Sequence, residues 1–159
     1  MSVESDEALD PAEQVEDLLE EVVRGLGLEA TVAVEDDGDT VTGTVHGDDL
    51  GLFIGRHGQT IDAVQHLAQR IAGARGGDGR RIVIDAEGYR ERREAMLQRK
   101  ADHAFEDALK SGRPVALDAM TASERRLVHE YLRDNEAVET YSEGDEPDRH
   151  LVVAPLNPA

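Results

Sequence analysis

Residues Gly51 to Leu67 read Gly-Leu-Phe-Ile-Gly-Arg-His-Gly-Gln-Thr-Ile-Asp-Ala-Val-Gln-His-Leu. An apolar turn runs into Gly55-Arg56-His57-Gly58 and straight out into an amphipathic helix. Glycine has no Cβ, so a loop bounded by two glycines lets another backbone approach closely. The side chains between them, a guanidinium and an imidazole, are donors suited to phosphate oxygens. The chemistry on offer is the holding of a phosphodiester backbone, not bond cleavage. A plain turn between two core helices is the alternative. The spacing alone is weak: Gly73/Gly76 and Gly76/Gly79 repeat it among the 15 glycines. Those lie in Gly-Ala-Arg-Gly-Gly-Asp-Gly, a loop that no helix leaves.

A second constellation lies in Thr121 to Arg133, Thr-Ala-Ser-Glu-Arg-Arg-Leu-Val-His-Glu-Tyr-Leu-Arg. On a helix Arg125, His129 and Arg133 share one face. Leu127, Val128, Tyr131 and Leu132 fall largely on the other and are expected to pack. The expectation is a cationic stripe pointing outward, with Arg forking onto a phosphate and His adding a donor or a second charge. The competing reading is an intrahelical pair with a carboxylate such as Glu130. Arg99 and His103 repeat the spacing, without a capping box before them or a hairpin after.

The elements that must position these groups follow from periodicity and turn chemistry. Asp10-Pro11-Ala12-Glu13 starts a helix, with Asp as N-cap and Pro at the first helical position. Val15, Leu18, Leu19, Val22, Val23 and Leu26 continue it to Gly25 and Gly27. Leu28 to Glu35 and Thr40 to Val45 read as strands of a hairpin around Asp36-Asp37-Gly38-Asp39. A short helix leads into the glycine loop. The next helix buries Ile61, Val64, Leu67 and Ile71, and Arg81 to Asp85 is a strand. The order is αββααβ over residues 11 to about 86. A long helix follows from about Tyr89 to Leu109, with Met96, Leu97, Phe105, Ala108 and Leu109 as its apolar side. Its length is about 30 Å at 1.5 Å per residue, that of a semi-rigid spacer. Val115 to Leu117 is a short strand, Thr121-Ala122-Ser123-Glu124 a capping box, and Val138 to Ser142 with His150 to Ala154 a second hairpin.

Composition narrows the function classes. The 159 residues are enough for one average or two small domains, and only 3% are aromatic. There is no bilayer-length apolar run and no apolar stretch after Met1, so a cytoplasmic chain without stable membrane insertion is expected. Cysteine is absent, which excludes disulfides and thiol catalysis. No P-loop and no H-E-x-x-H occur, and His46, His57, His66, His103, His129 and His150 form no recognisable metal spacing, so no enzyme, cofactor or metal is expected. The net charge of −18 argues at first against a polyanionic ligand. Its distribution says otherwise. Residues 1–50 carry 16 acids and one base, residues 51–100 ten bases and six acids, and residues 101–159 six bases and 13 acids. The positive excess falls on the segment holding the glycine loop. The cluster Arg90-Glu91-Arg92-Arg93-Glu94 reads as an ordinary solvated helix face.

Four blocks in this order resemble the Jag (SpoIIIJ-associated, KhpB) family of bacterial proteins, which join a KH domain to an R-3-H domain. They are Ile54-Gly55-Arg56-His57-Gly58 with its helix, Asp85-Ala86-Glu87-Gly88-Tyr89-Arg90-Glu91-Arg92-Arg93, Glu124-Arg125-Arg126-Leu127-Val128-His129, and Thr140-Tyr141-Ser142-Glu143-Gly144-Asp145-Glu146-Pro147 closing on Arg149-His150-Leu151-Val152-Val153. Residues 1–10 are polar and acidic and read as a disordered tail. The resemblance implies an α+β chain: a KH domain of the bacterial αββααβ type over 11–87, and an R-3-H domain of helices on a small antiparallel sheet over 92–157. It implies non-catalytic binding of single-stranded RNA, with single-stranded DNA as an alternative ligand. A small separate KH-domain protein is an implied partner, and post-transcriptional control of envelope growth and cell shape an implied role. Gly55, Arg56, His57 and Gly58 take the clamp role, and Arg125 and His129 the phosphate-contact role. KH domains seat about four nucleotides against an apolar platform. Ile54, Ile61 and Val64 are candidates for it, although their periodicity fits core packing equally well. Relatives with an extra N-terminal domain are common, whereas here only the short tail is expected before the first helix. The alternative function is a protein-interaction adaptor with weak or vestigial nucleic-acid binding, which the acidity favours.

Overall fold

The structure is a computed structural model and describes residues 9–74 and 79–157. The acidic tail expected over residues 1–10 therefore lies outside the described residues up to position 8, as do residues 75–78 of the Gly-rich loop. The chain divides into two compact units, 1–89 and 90–159.

In the first unit the order is α1 (Pro11–Gly25), β1 (Ala30–Asp36), β2 (Thr40–Gly47), α2 (Gly51–Ile54), a 3₁₀ turn (Arg56–Gly58), α3 (Gln59–Ala74) and β3 (Arg81–Ala86). This is the expected αββααβ order. The sheet runs β1-β2-β3, with β1 antiparallel and β3 parallel to β2. Alternation along β2 buries Val41, Gly43 and Val45. Those positions meet Val15 and Leu19 of α1, Phe53 of α2 and Ile61 and Val64 of α3 in one core. Gly43 is where a helix comes closest: a Cβ there would lie 2.7 Å from Val15 Cγ1 and 2.6 Å from Leu19 Cδ1. Glycine on the core face of a strand otherwise lined by valine marks that approach. Asp10 occupies the N-cap position of α1 without capping it. Its carboxylate instead accepts from Arg80 at 3.1 Å, and Arg80 also pairs with Asp36.

The second unit holds α4 (Tyr89–Ser111) from Arg90 onward, β4 (Val115–Ala119), α5 (Ala122–Leu132), β5 (Val138–Glu143) and β6 (His150–Pro155). Its sheet is antiparallel, in the order β4-β6-β5. The apolar side of α4 differs from the expected one. Leu97, Ala101, Ala104 and Ala108 form the buried ridge, while Leu109 is exposed. Small side chains at this spacing let the helix seat closely, so α4 is a core element of the second unit and not a bare spacer.

Candidate nucleic-acid interface

The glycine loop is built by conformations that only glycine accepts easily. Gly55 has φ 74° and ψ 176°, a region essentially closed to other residues. A Cβ on it would also meet Thr60, at 2.8 Å from both its backbone nitrogen and its Cβ. Gly58 is left-handed at φ 77° and buried. A Cβ there would fall 2.9 Å from the Tyr89 phenol oxygen. Main-chain bonds from Gly55 to the Gly51 carbonyl at 2.8 Å and from Gly58 to the Gly55 carbonyl at 3.2 Å close the turn. Between them Arg56 is exposed, and His57 is half-buried and left-handed, at φ 55° and ψ 24°. A non-glycine residue in that region is uncommon and strained. The loop thus presents one guanidinium on a fixed, bare backbone.

The platform expectation needs correcting. Ile61 is fully buried and Val64 nearly so, because both sit on the side of α3 that faces the sheet. Only Ile54 is half-buried, packing against the core edge. The exposed aliphatic side chain beside the loop is Leu52, 65% exposed. Leu67 and Ile71, expected in the core, are also exposed.

The second site begins with the capping box. Thr121 Oγ1 accepts from the Glu124 N–H at 3.4 Å, and Glu124 Oε2 accepts from the Thr121 N–H at 3.2 Å. Glu124 is buried, and Arg93 forks onto it at 2.7 and 3.2 Å. Arg93 is therefore an anchor of α5 and not part of a solvated face. One turn later the outward stripe fails to form. Arg125 is 8% exposed. It donates to the Met120 carbonyl at 2.6 Å and to Glu146 at 2.7 Å. Glu146 comes from the β5–β6 connection, where the Glu146–Pro147 bond is cis. Arg126, His129 and Arg133 are exposed, Arg126 and Arg133 leaning on Glu130. His129 Nδ1 bonds to Thr140 Oγ1.

Arg125, Arg126 and His129 nonetheless line one open cleft, with Thr140, Tyr141 and Ser142 of β5, Arg149 and Leu151. Arg149 is held by the Gly144 carbonyl at 2.6 Å. Tyr141 is 43% exposed, an aromatic face beside cations where a base can stack. Among the described residues no three His, Cys, Asp or Glu side chains come together as metal ligands. None of their helices is long and apolar enough to cross a membrane.

The KhpA/KhpB KH-domain model matches residues 12–84, and the R-3-H domain model matches residues 95–155. The RNA-binding protein KhpB of Lactiplantibacillus plantarum is 40% identical over 138 residues, 87% of this chain and 43% of that protein. The Clostridium symbiosum KhpB is 32% identical over 140 residues, 87% and 63% of the two chains. The Bacillus subtilis KhpB is 31% identical over 150 residues, 93% of this chain and 72% of its own. The chain belongs to the KhpB family. It spans roughly half the length of the first two relatives.

Within this KhpB-family chain, sequence reasoning missed Arg126, Tyr141 and Arg149 as members of the cleft. The available signal was strand alternation: with Val138 inward, Glu139, Tyr141 and Glu143 face out. Tyr141 is then an exposed aromatic on the strand that His129 reaches.

Proposed function

We propose that the chain is a non-catalytic single-stranded RNA-binding protein with two phosphate-holding sites, one on a KH unit over residues 11–87 and one on an R-3-H unit over residues 92–157. The observation that carries the proposal is Gly55, held in a glycine-only conformation immediately before an exposed Arg56. Nothing in packing alone requires a cation there. Leu52 and the edge of Ile54 supply an aliphatic surface beside the loop. In the second unit Arg126, His129 and Arg149 supply donors, and Tyr141 a stacking face. The names of the relatives support RNA as the ligand. The shared KhpA/KhpB domain model supports a small KH-domain protein as a partner. Cytoplasmic RNA-level control of envelope growth and cell shape completes the reading.

The decisive experiment replaces Arg56 and His57 together by Asp and measures binding to a labelled 20-nucleotide single strand by fluorescence anisotropy. Like charge against phosphate weakens binding at least tenfold, about 1.4 kcal/mol, with the fold retained. A folded double variant that binds like the parent would falsify the clamp. The chain is then better read as an adaptor working through the exposed acids of α1, Glu13, Glu16, Asp17, Glu20 and Glu21.

A further inference from the structure

After β3 the chain turns back against the glycine loop. Glu87 and Gly88 are both left-handed, at φ 47° and 67°. For Glu87 that is a conformation side chains rarely adopt, and it is upheld by specific bonds. Its N–H donates to the Val45 carbonyl at 3.2 Å. Its Oε1 accepts from the Gly47 N–H at 3.1 Å and lies 3.3 Å from His46 Nδ1. The turn is thereby fastened to the end of β2, the strand that leads into α2.

One residue beyond Gly88, Tyr89 lies against Gly58. A Cβ on Gly58 would come within 2.9 Å of the phenol oxygen and 3.1 Å of ring Cε1. The Tyr89 ring is half-buried and packs on the first core. Gly58 is buried, whereas Arg56 and Gln59 are exposed. A four-residue loop with two glycines has unusual backbone freedom. A stiff ring against one of those glycines removes part of it before any ligand arrives, which lowers the ordering cost of binding.

We infer that Tyr89 is a positioning residue for the Gly55–Gly58 loop. Through Gly58 it holds the loop in the shape that presents Arg56 to phosphate, and Glu87 seats the turn that aims the ring. This inference rests on the RNA reading above. Tyr89 itself touches no nucleotide.

The test is a double-mutant cycle on the full chain, read by anisotropy against a labelled 20-nucleotide single-stranded RNA. Tyr89→Ala weakens binding about five- to tenfold, because the loop must then be ordered by the RNA itself. Tyr89→Phe loses less than Tyr89→Ala, because the ring edge at Cε1 remains against Gly58. In an Arg56→Ala/His57→Ala background, Tyr89→Ala changes affinity by less than about twofold, since the groups it presents are gone. The log–log salt slope of Tyr89→Ala also falls toward that of the loop variant, by about 0.7 for each phosphate no longer neutralised. A loss of folded protein alone leaves that slope unchanged. Should Tyr89→Ala unfold by circular dichroism, Tyr89→Leu carries the same cycle. An undiminished loss in the loop-variant background, or an equal loss in Tyr89→Phe, overturns the positioning role while the clamp stands. A loop variant that binds like the parent overturns the clamp, and the Tyr89 role with it.

Discussion

Arg125 and Glu146 form an ion pair at 2.7 Å, with the arginine side chain 9% exposed and the carboxylate 60% exposed. Arg125 is thus committed to the β5–β6 connection on one side and to the Met120 carbonyl on the other. The neighbouring Arg126 is the solvent-facing cation, its side chain 81% exposed.

These two arginines are expected to separate stability from binding. Arg125→Ala takes the donor from the buried Met120 carbonyl and breaks the pair with Glu146, and lowers the stability of the second unit by about 1–3 kcal/mol. Arg126→Asp leaves stability within about 0.5 kcal/mol, as exposed substitutions usually do, yet weakens binding to a 20-nucleotide RNA by about tenfold or more. Urea unfolding and anisotropy on the two variants check this. Unchanged stability in Arg125→Ala would remove the pin, and unchanged affinity in Arg126→Asp would remove the cleft.

The two proposed sites favour a strand long enough to engage both. The parent is expected to show a log–log salt slope of about −2 to −4, from roughly three to five neutralised phosphates on a single strand. On a 20-nucleotide RNA, Arg126→Asp costs about tenfold or more, because the second, intramolecular engagement disappears. On a six-nucleotide RNA the same variant weakens binding by less than about twofold, since a short strand occupies one site at a time. Equal losses at the two lengths count against engagement of both sites.

Gly43 sets how closely α1 approaches the first sheet. Gly43→Val forces its side chain into Val15 and Leu19, both essentially fully buried. Overpacking of this kind costs about 1–3 kcal/mol. The first unit's urea transition, followed by hydrogen exchange at β2 amides, reports it. A variant as stable as the parent would show that α1 yields freely.

The β1–β2 turn carries an acid-sensitive hydrogen-bond pair. Asp37 accepts from the Thr40 N–H at 2.7 Å and from the Asp39 N–H at 2.9 Å, and these bonds hold its carboxyl below the ordinary 3.8. The depressed value means the pair stabilises the fold above pH 3.8, and that stabilisation fades as pH falls through the folded-state value. Amide shifts of Asp39 and Thr40 are expected to move together below pH 3.8, and Asp37→Ala to abolish that movement. An inflection at or above the ordinary value contradicts the assignment.

Local signals were legible in the sequence, and long-range ones were not. The capping box at Thr121 and Glu124, the αββααβ order and the glycine loop are written within a few residues, and local stereochemistry decides them. Arg125 shows where such reading stops. Helical spacing tells which residues share a face, but not that Glu146, twenty-one residues away, covers one of them. Arg93 escapes local reading for the same reason, since its partner Glu124 is 31 residues on. Ile61 and Val64 fit groove or core by period alone, and only the position of the sheet decides for core. Gly43 is visible as a break in a valine alternation, but the helix that explains it is not local.

β2 ends at Gly47 and its parallel neighbour β3 begins at Arg81, so α2, the glycine loop and α3 all lie within the crossover between them. The turn that brings Tyr89 to Gly58 comes later still. On a ribosome the letters Gly-Arg-His-Gly emerge well before the frame that shapes them. A nascent chain lacks the packing around this loop until residues through Tyr89 have left the exit tunnel, because non-local pairing forms only once both partners have emerged. The loop therefore acquires its packed surroundings only after residues 59–89 have followed it out.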